Sequence, residues 1–185
     1  VVDMGAGTMD IAVFTGGALR HTAVIPVAGN QVTSDIAKIF RTPLSHAEDI
    51  KVQYACALKQ LVSMEENIDV PSVGGRPDRS MSRHTLSEVV EPRYHELFEL
   101  IQEEIRESGL SDQIAAGFVL TGGTAKMEGV VEFAEEVFQM PVRIANPLNV
   151  EGLKEYVNDP TYATVVGLLH YGMQVSEQGS SGEKN

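Results

Sequence analysis

The residues best suited to chemistry fall in three short constellations. The first is Asp3-Met4-Gly5-Ala6-Gly7-Thr8-Met9-Asp10. A carboxylate stands at the end of an apolar run, and the glycines after it let the backbone turn with bare N–H groups close to an anion. Thr8 adds a hydroxyl donor. Asp3 suits magnesium held through water, because magnesium takes few protein ligands beside phosphate oxygens. Taken alone, the pattern is equally that of a β-hairpin with a glycine-rich turn. The second constellation is Val119-Leu120-Thr121-Gly122-Gly123-Thr124-Ala125-Lys126-Met127-Glu128-Gly129. A buried strand runs into two glycines and a helix start, where a flat or anionic ligand can reach the backbone at a helix N-terminus. Many strand-to-helix corners contain glycine, so this pattern alone is weak. The third is Glu48 and Lys51, three apart on a helix and therefore on one face. A carboxylate can accept from ribose hydroxyls, and Lys51 can reach ribose, base or phosphate. The same two residues also read as a capping-box glutamate and its exposed neighbour.

The elements that must position them follow from periodicity and turn chemistry. Residues 1–4, 8–15 and 18–27 read as strands of an antiparallel meander, with Gly16-Gly17 as a tight hairpin turn. Asn30 has the form of an N-cap for a helix carrying Val32, Ile36, Ile39 and Phe40 at helical spacing. Thr42-Pro43 breaks that helix. Ser45 to Glu48 has the form of a capping box, opening a helix with Ala47, Ile50, Tyr54 and Leu58 on one face. Residues 67–84 hold strand pieces around a loop with Gly74, Gly75 and Pro77. Thr85 to Glu88 is a second capping box, followed by a stripe that includes Leu86, Val90, Tyr94, Leu97, Phe98 and Ile101, read as core. Pro92 either kinks this helix or opens a second one. Gly109 ends it. Beyond lie a buried strand at 115–121, a helix over 124–139, a strand at 141–145, and a final helix to about Met173, started by Asp159-Pro160. This order implies an α/β core lobe, residues 1–42 and 109–175, interrupted by a smaller α+β lobe, residues 43–108. Residues 176–185 (SEQGSSGEKN) read as a disordered tail.

Composition narrows the function classes. The chain has 185 residues, 43% hydrophobic and 22% charged, which is ordinary globular usage. A formal net charge of −12 argues against a general nucleic-acid binder. No apolar run approaches the ~18 residues of a membrane-spanning helix, and none reads as a signal peptide. The lone Cys56 excludes an intrachain disulfide and reads as a small buried residue suited to a reducing compartment. His21, His46, His84, His95 and His170 share no metal-ligand spacing. Val1 opens inside a strand-like run, the pattern of a piece of a longer protein.

The three constellations in this order resemble the second phosphate loop, the nucleoside-contacting helix and the adenosine motif of the actin, heat-shock chaperone and sugar-kinase superfamily. Ala28-Gly29-Asn30 stands where that superfamily turns into a helix beside the adenine. The resemblance implies an actin-like ATPase domain with an RNase H-like core and a smaller α+β insertion, and it implies ATP and magnesium as cofactors. The implied nucleotide contacts are Asp3, Gly5, Ala6, Gly7, Thr8, Gly29, Glu48, Lys51, Gly122, Gly123, Thr124 and Met127, with Asp3 on the metal. VIPVAGNQVTSDI (24–36), VPSVGGR (70–76), EPRY (91–94) and YATVVGLLHY (162–171) are similar in particular to the FtsA family of bacterial cell-division proteins, and that likeness covers residues 1–173.

Members of that family form filaments, bind ATP between two domains and recruit other divisome proteins. Their inserted lobe takes up the C-terminal tail of FtsZ. A C-terminal amphipathic helix, absent from this chain, ties them to the inner face of the cell membrane at the septum. The resemblance therefore implies a cytoplasmic protein, with Arg79, Arg83 and above all Arg93 as contacts for an acidic peptide. A solvated basic rim is the competing reading of these arginines. No general base is identifiable, and Asp10 has no assigned role. One half of a cleft leaves phosphates wet, so this chain alone is expected to bind ATP poorly and hydrolyse none. A small-molecule kinase, a chaperone-like ATPase and a pilus-assembly relative of FtsA stand as the alternatives.

Overall fold

Strands β1 (Val2–Met4), β2 (Met9–Thr15) and β3 (Ala18–Ile25) form the meander that the sequence predicts. They are seen in a computed structural model that describes residues 1–70, 77–150 and 157–181. Along β2, buried Met9, Ile11 and Val13 alternate with exposed Asp10 and Phe14, the period-two pattern of a sheet covered on one face. Gly16 and Gly17 turn the hairpin at φ 59° and 76°, the two positive values that a tight primed turn requires. Strands β4 (Asn67–Val70) and β5 (Arg79–Ser82) pair antiparallel as a separate small sheet. The Gly74-Gly75 loop predicted between them lies outside the described residues, as do residues 71–76 of the VPSVGGR stretch. Strand β6 (Phe118–Thr121) then pairs parallel with β1, and β7 (Val142–Ile144) pairs parallel with β6. The main sheet therefore has the order β3-β2-β1-β6-β7.

The helices are α1 (Gly29–Phe40), α2 (Leu44–Tyr54), α3 (Arg83–Glu107), α4 (Val130–Phe138) and α5 (Ala163–Ser181). Helix α1 buries Val32, Ile36 and Phe40, a one-faced stripe at helical spacing. Helix α3 is a single element of 25 residues, and Pro92 sits inside it without ending or restarting it. Pro92 is exposed, while Leu86, Val90, Tyr94, Leu97, Phe98, Ile101 and Ile105 are buried along the opposite face. That continuous apolar stripe outweighs one lost backbone hydrogen bond. Helix α3 lies within residues 43–108 and packs against α4, which belongs to residues 109–175. Phe98 meets Phe133 and Phe138 edge-on, at centroid distances of 5.6 and 5.3 Å, and Phe118 stacks on Phe138 at 4.1 Å. One cluster of buried apolar side chains thus runs from the main sheet through α3 to α2 and β4.

Several predicted helix ends differ from the structure. Helix α1 begins at Gly29, with no side-chain cap from Asn30. Its first N–H groups are taken by the Gly5–Ala6 turn, so tertiary contact replaces the cap. Neither predicted capping box forms, because α2 starts after Pro43 and α3 after Ser82. The helix expected over 124–139 is split into a 3-10 turn, Gly123–Lys126, and α4. Gly129, at φ 76°, stands between them. Asp159 does cap as predicted, accepting from the Thr161 N–H at 2.9 Å. Helix α5 runs on to Ser181, past residue 176 where the sequence predicts a tail. That polar stretch contains no proline, and polarity alone does not stop a helix.

Phe98→Ala is expected to cost about 3–5 kcal/mol, the usual range for emptying an aromatic site in a packed core. Denaturant unfolding monitored by circular dichroism reads this directly, and a loss under 1 kcal/mol would show that the ring cluster is loosely packed.

Candidate functional site

Parallel pairing sets Asp3 on β1 opposite Thr121 on β6, so the loops that leave the two strands start side by side. The first loop, Gly5 to Thr8, is closed by the Gly5 N–H donating to the Thr8 carbonyl at 2.9 Å. The second is the Gly122–Thr124 corner. They touch: the Thr124 hydroxyl donates to the Gly5 carbonyl at 2.7 Å. Gly122 sits at φ 87°, and a Cβ there would lie 2.3 Å from Asp3 Oδ1 and 2.5 Å from the Met4 carbonyl. Only glycine fits both the backbone angle and the approach. Gly29 joins from α1, its N–H donating to the Gly5 carbonyl at 3.2 Å. The Asn30 N–H donates to the Ala6 carbonyl at 2.7 Å. Neither Gly5, Ala6 nor Gly7 needs a left-handed backbone, so the first turn is shaped by hydrogen bonds and close approach rather than by glycine angles.

Asp3 is half-buried and accepts from the hydroxyl of Thr164, in the first turn of α5. Asp10 is its cross-strand neighbour and accepts from the Thr8 hydroxyl at 3.0 Å. Two carboxylates therefore flank the exposed Ala6–Thr8 turn.

Glu48 and Lys51 face the same region from α2, and their partners are specific. The Lys51 ammonium bonds the Thr33 hydroxyl at 2.9 Å, Glu48 Oε2 at 2.8 Å and the Gly29 carbonyl at 3.3 Å. Thr33 in turn donates to Glu48. Burial works to raise the Glu48 carboxyl, but the bonds from Lys51 and Thr33 and the charge of Lys51 outweigh it and hold it below the usual range. The pair thus pins α2 to the start of α1, and Glu48 is no capping residue. A cleft of about 410 Å3 opens between these elements. Ala6, Lys51, Gln53, Thr124, Met127 and Thr161 are among its lining residues. At its rim Lys126 bonds Asp159 at 2.5 Å. The bond from Lys126, then those from Thr161, pull the Asp159 carboxyl down to about 2.

The three candidate arginines do not form one patch of free cations. Arg83 is mostly buried and bonds the Tyr54 carbonyl at 2.5 Å, Glu66 at 3.2 Å and Glu128. Arg93 grips Asp35 of α1 with two bonds, at 2.6 and 3.2 Å, and also pairs with Glu96. Arg79 is exposed and gives one bond to the Phe40 carbonyl. Cys56 is buried as expected, its thiol donating to the Leu58 carbonyl at 3.3 Å, and burial pushes its pKa up. No cluster of three or more metal-ligating side chains occurs among the described residues.

The site also uses residues that the sequence did not single out. Thr33, Thr164 and Asp35 are ordinary helix residues by pattern, and only tertiary contact gives them a role. Tyr94, read as core, does lie in the core, but its hydroxyl donates to the Thr124 carbonyl at 2.8 Å behind the corner.

A five-stranded mixed sheet, with two glycine loops meeting at the ends of its central parallel strands, is the architecture of the actin-like ATPases. The structure of MreB 5 of Spiroplasma citri bound to AMPPNP matches with a TM-score of 0.75 at 21% identity, covering 98% of this chain and 54% of that one. A MamK double helical filament matches at 0.67 and 20% identity, covering 93% and 53%. The family model described as "Cell division protein FtsA" matches residues 1–167. "Cell division protein FtsA" of Pseudomonas aeruginosa is 61% identical over 181 residues, which span 98% of this chain and 43% of that protein. The chain belongs to the FtsA family.

Asp159 gives a pH test. A carboxyl held below its ordinary value of 3.8 contributes stability above that pH and loses it as the pH falls toward about 2. Asp159→Asn is therefore expected to melt lower than the wild type at neutral pH, with the gap closing over that acid window. Thermal melts across pH check this, and a gap that persists at pH 2 would refute the pairing.

Proposed function

We propose that this chain forms one wall of an ATP–magnesium cleft in an actin-like cell-division scaffold. The observation that carries the reading is the contact of the two glycine loops through Thr124 and Gly5, beside a cleft of nucleoside size. The adenosine lies over Gly122, Gly123, Thr124 and Met127, with its ribose toward Glu48 and Lys51. The phosphates lie at the Gly5–Thr8 turn, toward the N–H groups of Ala6, Gly7 and Thr8, near the first residues of α1 at Gly29. The donors around that turn, the carboxylates of Asp3 and Asp10 and the hydroxyl of Thr8, are all oxygens, which fits magnesium. Asp3 holds the ion through water, and the ion when bound neutralises phosphate charge. Lys51 acts mainly by fixing the joint of α1 and α2, because its three protons already have protein partners.

The chain spans 43% of the length of the relative from Pseudomonas aeruginosa, so hydrolysis and assembly belong to the whole protein. We assign residues 43–108 to an inserted lobe that docks the acidic C-terminal tail of FtsZ. Arg79 keeps most of its donors for an incoming carboxylate among the described residues. Arg93 exchanges Asp35 and Glu96 for the peptide, and Arg83 supports the lobe from within. Self-association into filaments follows the family's fold, in which a MamK filament has been solved. No described helix is long and apolar enough to cross a membrane. Attachment to the inner face of the membrane at the septum is assigned to the whole protein.

Calorimetry with ATP–magnesium tests the half-cleft reading. The full-length protein is expected to bind in the micromolar range, and Lys51→Ala to weaken it about tenfold through the lost joint. Micromolar binding by residues 1–185 alone would overturn the idea that one wall is insufficient.

For the peptide site, Arg93→Glu is expected to weaken an FtsZ-tail peptide about tenfold in fluorescence anisotropy. The substitution also places a carboxylate beside Asp35, so the melting temperature is followed in parallel. A folded variant with unchanged affinity removes Arg93 from the docking surface.

A further inference from the structure

We infer that Tyr94 is a positioning residue of the cleft, acting through Thr124 on both the base-side corner and the phosphate-side turn. The inference rests on the nucleotide reading above and adds a residue on α3 to it. Tyr94 is 1% exposed and sits in an apolar stripe where its neighbours are Leu97, Phe98 and Ile101. Packing there asks only for an aromatic ring, which it shares edge-on with Phe98 at 5.9 Å. The hydroxyl is the unusual part. A buried hydroxyl is costly without a partner, and this one spends its proton on the Thr124 carbonyl at 2.8 Å.

Thr124 is held at both ends. Its carbonyl takes the bond from Tyr94 behind, while its hydroxyl donates forward to the Gly5 carbonyl at 2.7 Å. That same Gly5 oxygen receives the Gly29 N–H at 3.2 Å. A chain of hydrogen bonds therefore runs from the middle of α3, through the 3-10 turn Gly123–Lys126, to the first glycine turn and the start of α1. The corner has no long helix of its own to stiffen it, because α4 begins only at Val130. Tyr94 supplies the missing support from α3, the longest helix of the described structure. It also borders the cleft itself, between the Glu48–Lys51 pair and the corner. Its ring thus sets the spacing of the two walls that would hold a nucleoside.

The test compares ATP and adenosine affinities of the full-length protein by fluorescence titration, with melting temperatures alongside. Tyr94→Phe keeps the ring and removes only the hydroxyl. It is expected to weaken ATP and adenosine alike, by about tenfold, because it loosens the base-side corner first. A merely structural Tyr94 would lower the melting temperature and leave the affinity of the folded protein unchanged, and that result overturns the proposal. Thr124→Val is the second variant, and stands in if Tyr94→Phe does not fold. It keeps the carbonyl that Tyr94 binds and loses the hydroxyl that reaches Gly5. It is expected to weaken ATP several-fold more than adenosine, and equal losses overturn the link to the phosphate turn. A wild type that binds neither ligand rejects the nucleotide reading itself, a failure seen before any variant is compared.

Discussion

The parallel pairing of β1 with β6 is the constraint on which the rest of this molecule depends. Asp3 and Thr121 are 118 positions apart by their own numbers, yet the ladder makes them neighbours. Each strand must leave the sheet at its carboxyl end, so two loops emerge into one place. Both then need room. Gly122 gives it by lacking a side chain where one would strike Asp3, and Gly29 does the same where a Cβ would lie 2.3 Å from the Thr124 hydroxyl. The close approach leaves the Gly5 carbonyl facing the second loop, and the Thr124 hydroxyl satisfies it across the gap, while the Gly5 N–H is satisfied within its own loop. This is how a sheet edge becomes a rigid concave wall. Ligand sites in α/β sheets favour the carboxyl ends of strands for the same geometrical reason.

Helix α3 extends that logic. It is long, amphipathic and buried along its whole apolar face, so it serves as the reference against which other elements are set. Three of its residues hold neighbouring segments in place. Arg83 fixes the end of α2 and Glu128, Arg93 fixes Asp35 on α1, and Tyr94 fixes Thr124. The arginine pairs are partly shielded from water, with Arg83 and Arg93 side chains 12% and 24% exposed. Their value lies in orientation more than in net stability, since desolvation offsets much of the attraction in such pairs. An acidic protein with few cations spends these two inside.

Much of this was legible in the sequence because it is local. The meander from β1 to β3, the stripe of α3 and the Asp159 cap are written in periodicity and turn residues, and they stand where expected. The two glycine corners were legible as types, and the family likeness supplied their pairing. What failed was also local reading, applied where tertiary contact decides. Ser45 to Glu48 has every residue of a capping box, but Glu48 turns inward because Thr33 and Lys51 offer it better partners. Asn30 looks like a cap, but the Gly5–Ala6 turn already takes the N–H groups of that helix end. Arg83 and Arg93 look like surface cations, and only the fold reveals Glu128 and Asp35 beside them.

The same contrast explains why the charged groups near the cleft are arranged as they are. A free lysine at position 51 would attract phosphate but would wander, at a cost of side-chain entropy on binding. Tied to Thr33, Glu48 and Gly29, it has no such cost left, and its charge is largely answered by Glu48. The positive potential that phosphates require must then come from elsewhere on this wall. The N–H groups of Ala6, Gly7 and Thr8 in the first turn can provide it, because backbone dipoles are already aimed and need no reorganisation, whereas those of Gly5 and of the start of α1 are already bonded. Asp3 and Asp10 would oppose an anion, and they do so only while no cation lies between them and the phosphates. On the proposed reading, a wall with acids at the turn and its lysine neutralised suits a nucleotide that arrives with its metal better than a bare one.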